Sequence, residues 1–174
     1  SFLLQNAGLP TPATWVVRDR AEALLIAENE LKQRRRLVTK PLFGSQGEGL
    51  RLFEKMTDLF WLTSSHGIYY LQRFVDCEGE GFSDWRVFVI NGRVIASMRR
   101  CGVSWLNNVA RGARCVAMEP DTEMTKLALQ AVDALNMDYA GVDIIRDSQG
   151  KQSVIEVNSI PAWKGLQSAC HVDV

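Results

Sequence analysis

Apolar and polar positions divide the chain into short periodic segments, with Gly and Pro spread throughout rather than gathered at one boundary. Phe2-Leu3-Leu4 followed by Asn6-Ala7-Gly8, then Pro10 and Pro12, predicts the end of a helix with a glycine stop and a proline exit. Residues 13–17 predict a short strand. Asp19 with Glu22 three residues later is an N-cap pattern that opens a helix reaching Lys32. From Leu37 onward β signals dominate, over 37–42, 50–54, 68–75, 85–90, 94–98, 141–145 and 153–157. Asn91-Gly92 separates two of these strands and suits a two-residue type I′ turn, which needs positive φ at both central positions. Another helix is expected over 122–135, where Met124, Leu127, Ala128, Ala131, Val132 and Leu135 recur at helical spacing and Asp121 or Thr122 can cap. Runs of strands with isolated helices predict an α+β fold built mainly from antiparallel sheet.

Composition narrows the function classes. The 174 residues carry 20 Lys+Arg against 20 Asp+Glu, so the formal charge is zero, and 47% are hydrophobic. Such a balance is globular and leaves no electrostatic footprint for nucleic acid or an anionic membrane. No apolar run reaches the ~20 residues a membrane span needs. Cys77, Cys101, Cys115 and Cys170 lie far apart with no C-x-x-C, and His66 and His171 are the only histidines. These spacings argue against a zinc cluster and a disulfide framework, and a reducing cytoplasm is the expected compartment. Lys32, Arg34, Arg35 and Arg36 read as cations favoured at a helix C-terminus. With no G-x-S-x-G and no partner pattern for either histidine, nothing predicts nucleophilic catalysis. The opening Ser-Phe-Leu-Leu, without Met, reads as a fragment with helical sequence upstream.

Candidate chemistry centres on two segments, Ala140-Gly-Val-Asp-Ile-Ile-Arg-Asp and Lys151-Gln-Ser-Val-Ile-Glu-Val-Asn, joined across Ser148-Gln149-Gly150. A turn centred on Gln149-Gly150 puts Asp143 opposite Glu156 and Gly141 opposite Asn158, with Val142, Ile144, Ile155 and Val157 facing a core. Two carboxylates directly opposite repel unless a cation lies between them. An oxygen-only trio of Asp143, Glu156 and Asn158 suits a hard cation such as Mg²⁺, although any half-exposed strand also alternates polar residues.

A second segment, Lys40-Pro-Leu-Phe-Gly44-Ser45-Gln46-Gly47-Glu-Gly49, sets a lysine before closely spaced glycines whose N–H groups can converge on an anion. It lacks the spacing of a Walker A or Rossmann loop, and a flexible hairpin loop would read the same way. Tyr70 to Val75 leaves through an acidic, glycine-containing loop to Asp84-Trp-Arg86, an exit able to offer backbone amides to a purine and a carboxylate to a ribose. Arginines and amides gather again at Arg99-Arg100 and Asn107-Asn108-Val-Ala-Arg111-Gly112, where bidentate recognition of phosphate competes with a solvated loop.

In order, Lys40-Pro with the glycine loop, Gln72-Arg73-Phe74-Val75, Asp84-Trp-Arg86, Arg99-Arg100, Asn107-Asn108-Val-Ala-Arg111-Gly112, Ala140-Gly-Val-Asp143 and Glu156-Val-Asn158-Ser-Ile-Pro161 resemble an ATP-grasp enzyme, most closely the RimK-type α-L-glutamate ligases. The resemblance implies an α+β ATP-grasp fold of two subdomains with nucleotide between them: a small lid-bearing one over 10–75 and a C-terminal core over 76–174, with 1–9 the end of an upstream helix. It implies a ligase that phosphorylates a carboxylate with ATP and lets an amine, usually that of glutamate, displace phosphate. Glutathione or dipeptide synthetases and a non-catalytic nucleotide-binding regulatory module are the alternatives.

Carried over by position, Lys40 contacts the α/β-phosphates and Gly44, Ser45, Gln46, Gly47 and Gly49 close over the β/γ-phosphates. Gln72, Arg73, Phe74 and Val75 hold adenine mainly through backbone, and Asp84 lies near the ribose. Asn108 and Arg111 face phosphates or the acyl phosphate, Arg111 and Lys40 being the catalytic pair. Asp143, Glu156 and Asn158 carry Mg²⁺, with Mn²⁺ as the other cation. The expected partners are ATP, glutamate or another amino acid, and a carboxylate acceptor such as a protein C-terminus or a coenzyme tail. The oligomeric state, a homo-oligomer included, stays open. Three departures from the family pattern stand out: Arg73 replaces an acidic residue, Leu106-Asn107 a more polar pair, and Pro161-Ala162-Trp163 the common Pro-Gly.

Overall fold

The computed structural model describes residues 1–43, 47–77, 81–106, 112–161 and 164–170. In chain order the elements are α1 (Phe2–Asn6), β1 (Thr14–Val17), α2 (Arg20–Lys32), β2 (Leu37–Thr39), β3 (Arg51–Phe53), a 3₁₀ helix (Met56–Trp61), β4 (Tyr69–Arg73), β5 (Phe82–Ile90), β6 (Arg93–Gly102), β7 (Arg114–Ala117), α3 (Thr122–Ala134), β8 (Tyr139–Arg146), β9 (Gln152–Asn158) and α4 (Lys164–Cys170). The caps expected from sequence are in place. Asp19 accepts the N–H of Glu22 at 2.8 Å and Asp121 that of Met124 at 2.8 Å. Asn91 and Gly92 take φ of 48° and 68°, the left-handed pair a type I′ turn requires. Three elements carry too little periodic signal to be read from sequence. These are the largely exposed β7, the seven-residue α4, and the 3₁₀ helix, which Asp58 anchors by accepting the N–H groups of Glu54 and Lys55.

The chain forms two units, Pro12–Val75 and Ser1–Thr11 with Asp76–Val174. Within Pro12–Val75 the described strands make an antiparallel sheet in the order β1-β4-β2-β3. Its core joins Ala23 and Ala27 of α2 to Leu37, Phe53, Leu59, Leu62, Tyr69 and Leu71. The inward stripe of α2 also includes Glu30, 6% exposed. Four N–H groups make that burial tolerable: Arg35 Nε and Nη2 at 2.8 Å each, and Arg73 Nε and Nη2 at 2.7 and 3.0 Å. Together they fill the four acceptor positions of one carboxylate. The basic cluster after α2 is thus an ion-pair set rather than a simple complement to the helix dipole. Arg35 holds Glu30, Arg36 holds Glu54 and lies over the Phe74 ring, and Lys32 reaches Glu28.

In the other unit the described strands run β7-β6-β5-β8-β9, antiparallel throughout, with β5 central and buried over nearly its whole length. Helix α3 packs Met124, Leu127, Ala128, Ala131 and Val132 against Trp85, Val87, Val89, Ala140, Val142, Ile144 and Val154 on one face. Each large side chain buried there contributes roughly 1.5–3 kcal/mol. Leu4 and Leu9 join this core, and the Pro10 carbonyl accepts the N–H of Val154 at 2.8 Å, so the opening residues belong to this unit. On the other face α4 sets Leu166 against Phe88 and Met98.

The Glu30 cluster has a pH signature. Burial would push the Glu30 carboxyl up, but Arg35 and Arg73 outweigh it and hold the group down to about 2. A carboxyl depressed in the folded state adds stability that is full above its unfolded value near 4.5 and is lost as pH falls towards 2. Thermal melts from pH 2.5 to 7 should therefore show Glu30→Gln less stable than wild type at pH 7, by about 1–3 kcal/mol, with a flatter acid limb.

Candidate functional site

Beyond the part covered by α4, the second face of the five-stranded sheet is charged, and strand register explains which residues it collects. Arg100 on β6 lies opposite Asp84 on β5, Arg86 on β5 opposite Asp143 on β8, and Asp143 opposite Glu156 on β9. Directly opposed residues share a face, as do residues two apart, so all five side chains lie on one surface together with Asn158, which faces Gly141.

The expected pairing of Asp143 with Glu156 is present, but two departures that cancel produce it. The loop spans Ser148-Gln149-Gly150, closed by Asp147 and Lys151, rather than a two-residue turn. Asp147 Oδ1 accepts the N–H groups of Gln149 and Lys151, and Gly150 takes φ of 82°. This sets Ile144 opposite Val154, one residue off the expected register, and a β-bulge at Ile155 restores it before Asp143. Val154 therefore joins the core where Ile155 was expected.

The expected repulsion between opposed carboxylates is also corrected, because Asp143 is already neutralised. Only 3% exposed, it receives Arg86 Nε on Oδ1 and Arg86 Nη2 on Oδ2, both at 2.6 Å, and Arg100 Nη2 on Oδ2 at 2.8 Å. Arg100 Nε continues to Asp84 Oδ1 at 2.6 Å, making a buried chain Arg86–Asp143–Arg100–Asp84. Burial would push the Asp143 carboxyl up, but Arg100 and Arg86 hold it below the usual carboxylate range. Burial wins at Asp84, which has a single bond from Arg100 and sits near Asp143, and lifts it to about 6. Arg86 and Arg100 are the residues whose roles sequence reasoning missed.

The donor set fits a hard cation. Among the described residues no three His, Cys, Asp or Glu converge, so a candidate centre rests on two carboxylates and one carboxamide. Asp143 Oδ1 accepts one hydrogen bond, from Arg86, and Asn158 Oδ1 accepts one, from Ile160 N–H at 3.0 Å. Each such oxygen has two lone pairs, which leaves a donor on each, and Glu156 is exposed beside them.

The remaining described candidates lie in the unit Pro12–Val75. Lys40 follows β2 directly, and its N–H donates to the Tyr70 carbonyl at 3.1 Å, which extends the β2–β4 ladder by one step. Gly47 and Gly49 have φ of 75° and 73°, and Pro41 comes within 3.2 Å of the position a Gly49 Cβ would take, so the loop geometry demands glycine there. Gln72 is buried, and its Nε2 donates to Thr14 Oγ1 at 3.0 Å. Arg73 is held by Glu30, and its N–H donates to Ala13, while that of Phe74 donates to Arg36. The backbone N–H groups of Arg73 and Phe74 are thus both engaged within this unit, and half-buried Val75 follows them. Gly44, Ser45, Gln46, Asn108 and Arg111 lie outside the described residues.

Solved structures share this fold. The ATP-grasp ligase PsnB, in complex with a minimal precursor, Mg and ADP, matches with a TM-score of 0.75 at 23% identity over 99% of this chain and 52% of that one. An ATP-grasp fold is thereby established. The match to the RimK-like ATP-grasp domain runs over residues 1–174, and the chain belongs to that family. It is 37% identical over 180 residues to tetrahydromethanopterin:alpha-L-glutamate ligase of Methanococcus maripaludis, covering 100% of this chain and 60% of the relative. A probable alpha-L-glutamate ligase of Rhodopirellula baltica is 34% identical over 178 residues, 99% of this chain and 43% of that protein. The chain thus spans about 60% or less of the length of these relatives. Among the described residues no helix is long and apolar enough to cross a membrane.

Gly141 offers a direct check of the site's packing. A Cβ there would lie 2.8 Å from Pro161 Cβ, inside van der Waals contact. Gly141→Ala should lower stability by about 1–3 kcal/mol through overpacking, read as a fall in melting temperature.

Proposed function

We propose that this chain is the nucleotide- and cation-holding portion of an ATP-dependent carboxylate–amine ligase that joins L-glutamate to a carboxylate acceptor through an acyl phosphate. The observation that carries the reading is the oxygen-only trio Asp143, Glu156 and Asn158, set by the β8–β9 register on one sheet face in a RimK-like ATP-grasp chain. In this reading the trio would hold Mg²⁺, or Mn²⁺ in its place, which when bound neutralises phosphate charge. Lys40 and the glycine loop from Gly44 to Gly49 bind the phosphates, the backbone of 72–75 takes the adenine, and Asp84 lies towards the ribose. Asn108 and Arg111 act on the phosphates or the acyl phosphate. The segments 10–75 and 76–174 serve as the lid-bearing and core subdomains. Phosphoryl transfer needs positioning and charge neutralisation more than a protein nucleophile, and this residue set supplies both.

A relative's name gives the first acceptor to try. The Methanococcus maripaludis protein is named for tetrahydromethanopterin and glutamate, so the full-length protein is to be given ATP, glutamate and a panel of acceptors that includes this reduced pterin. Acceptor-dependent ADP release with a product heavier by one glutamyl residue is the expected result. ATP hydrolysis with no acceptor-dependent product would instead favour a nucleotide-binding regulatory module.

Lys40→Ala should weaken ATP binding by at least about tenfold, as measured by calorimetry, because an ammonium on a phosphate is a charge-assisted contact. Its melting temperature without nucleotide should stay close to wild type. Unchanged affinity in a folded variant would remove Lys40 from the site.

A further inference from the structure

We propose that Arg86 and Arg100 make the cation site select an ion carried by the nucleotide over the free ion. This inference rests on the nucleotide-and-cation reading above and assigns its two buried arginines a role in it.

Both oxygens of Asp143, the buried carboxylate of the trio, accept guanidinium N–H groups at 2.6 to 2.8 Å. On this face Asp84, Asp143 and Glu156 set three formal negative charges against the two positive charges of Arg86 and Arg100, leaving −1 among the described residues. A free dication approaching Asp143 therefore meets a carboxylate already neutralised and two fixed guanidiniums beside it. Removal of a partly desolvated positive charge within contact distance of a ligand oxygen would raise attraction for a dication steeply. A nucleotide polyphosphate changes this balance, because it brings several negative charges that offset the arginines as the cation arrives. Cation and nucleotide then favour one another, and by linkage each raises the other's affinity by the same factor.

Arginine suits this task because its charge is permanent and its planar fork fixes Asp143 without blocking the second lone pair on Oδ1. The role depends on charge at position 86, whereas a purely structural role depends on the fork. Arg86→Gln and Arg86→Lys separate the two.

The experiment uses full-length protein at pH 8, with Mn²⁺ as the probe ion, its binding followed by calorimetry and by the magnetic resonance of the free ion, without nucleotide and with saturating ADP. In the wild type, ADP should tighten Mn²⁺ binding by at least about tenfold. Arg86→Gln should bind free Mn²⁺ at least about tenfold more tightly than wild type and lose most of the coupling to ADP. Arg86→Lys should keep weak free-ion binding and strong coupling. The proposal is overturned if folded Arg86→Gln binds free Mn²⁺ no more tightly than wild type, or if the lysine and glutamine variants behave alike. Equal Mn²⁺ affinity of the wild type with and without ADP also overturns it, even if Arg86→Gln fails to fold. If wild-type protein with Mn²⁺ binds no ADP at all, the nucleotide reading itself fails. If ADP binds and only the free-ion result is absent, that reading stands and this inference falls.

Discussion

The contact between Arg86 and Asp143 fixes more of this molecule than its size implies. It joins β5 to β8 at the centre of a buried sheet, and it is bidentate at 2.6 Å on both oxygens. An unpaired carboxylate there would be prohibitive, so the pair constrains the register of the strands on either side of it. β5 must present position 86 to β8, β6 must bring Arg100 within reach of both Asp84 and Asp143, and the β8–β9 hairpin must then deliver Glu156 and Asn158 to the same surface. On the opposite face the same strands point Trp85, Val87, Val142 and Ile144 at α3. A slip of one residue would bury the charges in the apolar core and expose the core residues, so hydrophobic patterning and ion pairing enforce a single alignment.

This double constraint separates what could be read from the sequence from what could not. Helix caps, the Asn91-Gly92 turn, α3 and most strands follow from local pattern, because each depends on residues a few positions apart. The partners of Asp143 do not. Counting outward from Asn91-Gly92 as a plain hairpin would set Asp84 opposite Arg99, and only the irregularity at Phe88/Val89 moves it to Arg100. A β-bulge leaves no reliable mark in a single sequence, and neither does the one at Ile155. The trio's register was legible only because the longer loop and that bulge shift the pairing in opposite senses. Its electrostatics were not legible, since Arg86 lies 57 positions from Asp143 in the chain.

Glu30 shows the same physics in the other unit. The sequence offered Lys32, Arg34, Arg35 and Arg36 as a basic run and Arg73 as an oddity on a strand. The fold instead places one buried carboxylate of α2 between Arg35 and Arg73. Arg73 departs from the family pattern, but its guanidinium is engaged with Glu30 and so ties the end of β4 to α2.

Stability alone does not account for the charged face. Buried ion pairs seldom outperform well-packed apolar side chains of similar volume, because desolvation consumes most of the Coulombic gain. The neighbouring cluster of Phe88, Met98 and Leu166 shows that this same sheet face can be closed by apolar contacts. Two carboxylates and two guanidiniums side by side become understandable when a carboxylate must stand ready for a ligand and must be neutralised until that ligand arrives. Asp143 meets both conditions: its hydrogen bonds keep it ionised despite burial, and one lone pair of Oδ1 stays outside them. Asp84, lifted by burial and held by one arginine bond, is the more weakly fixed end of the chain. The guanidinium of Arg100, shared by both carboxylates, joins that end to Asp143.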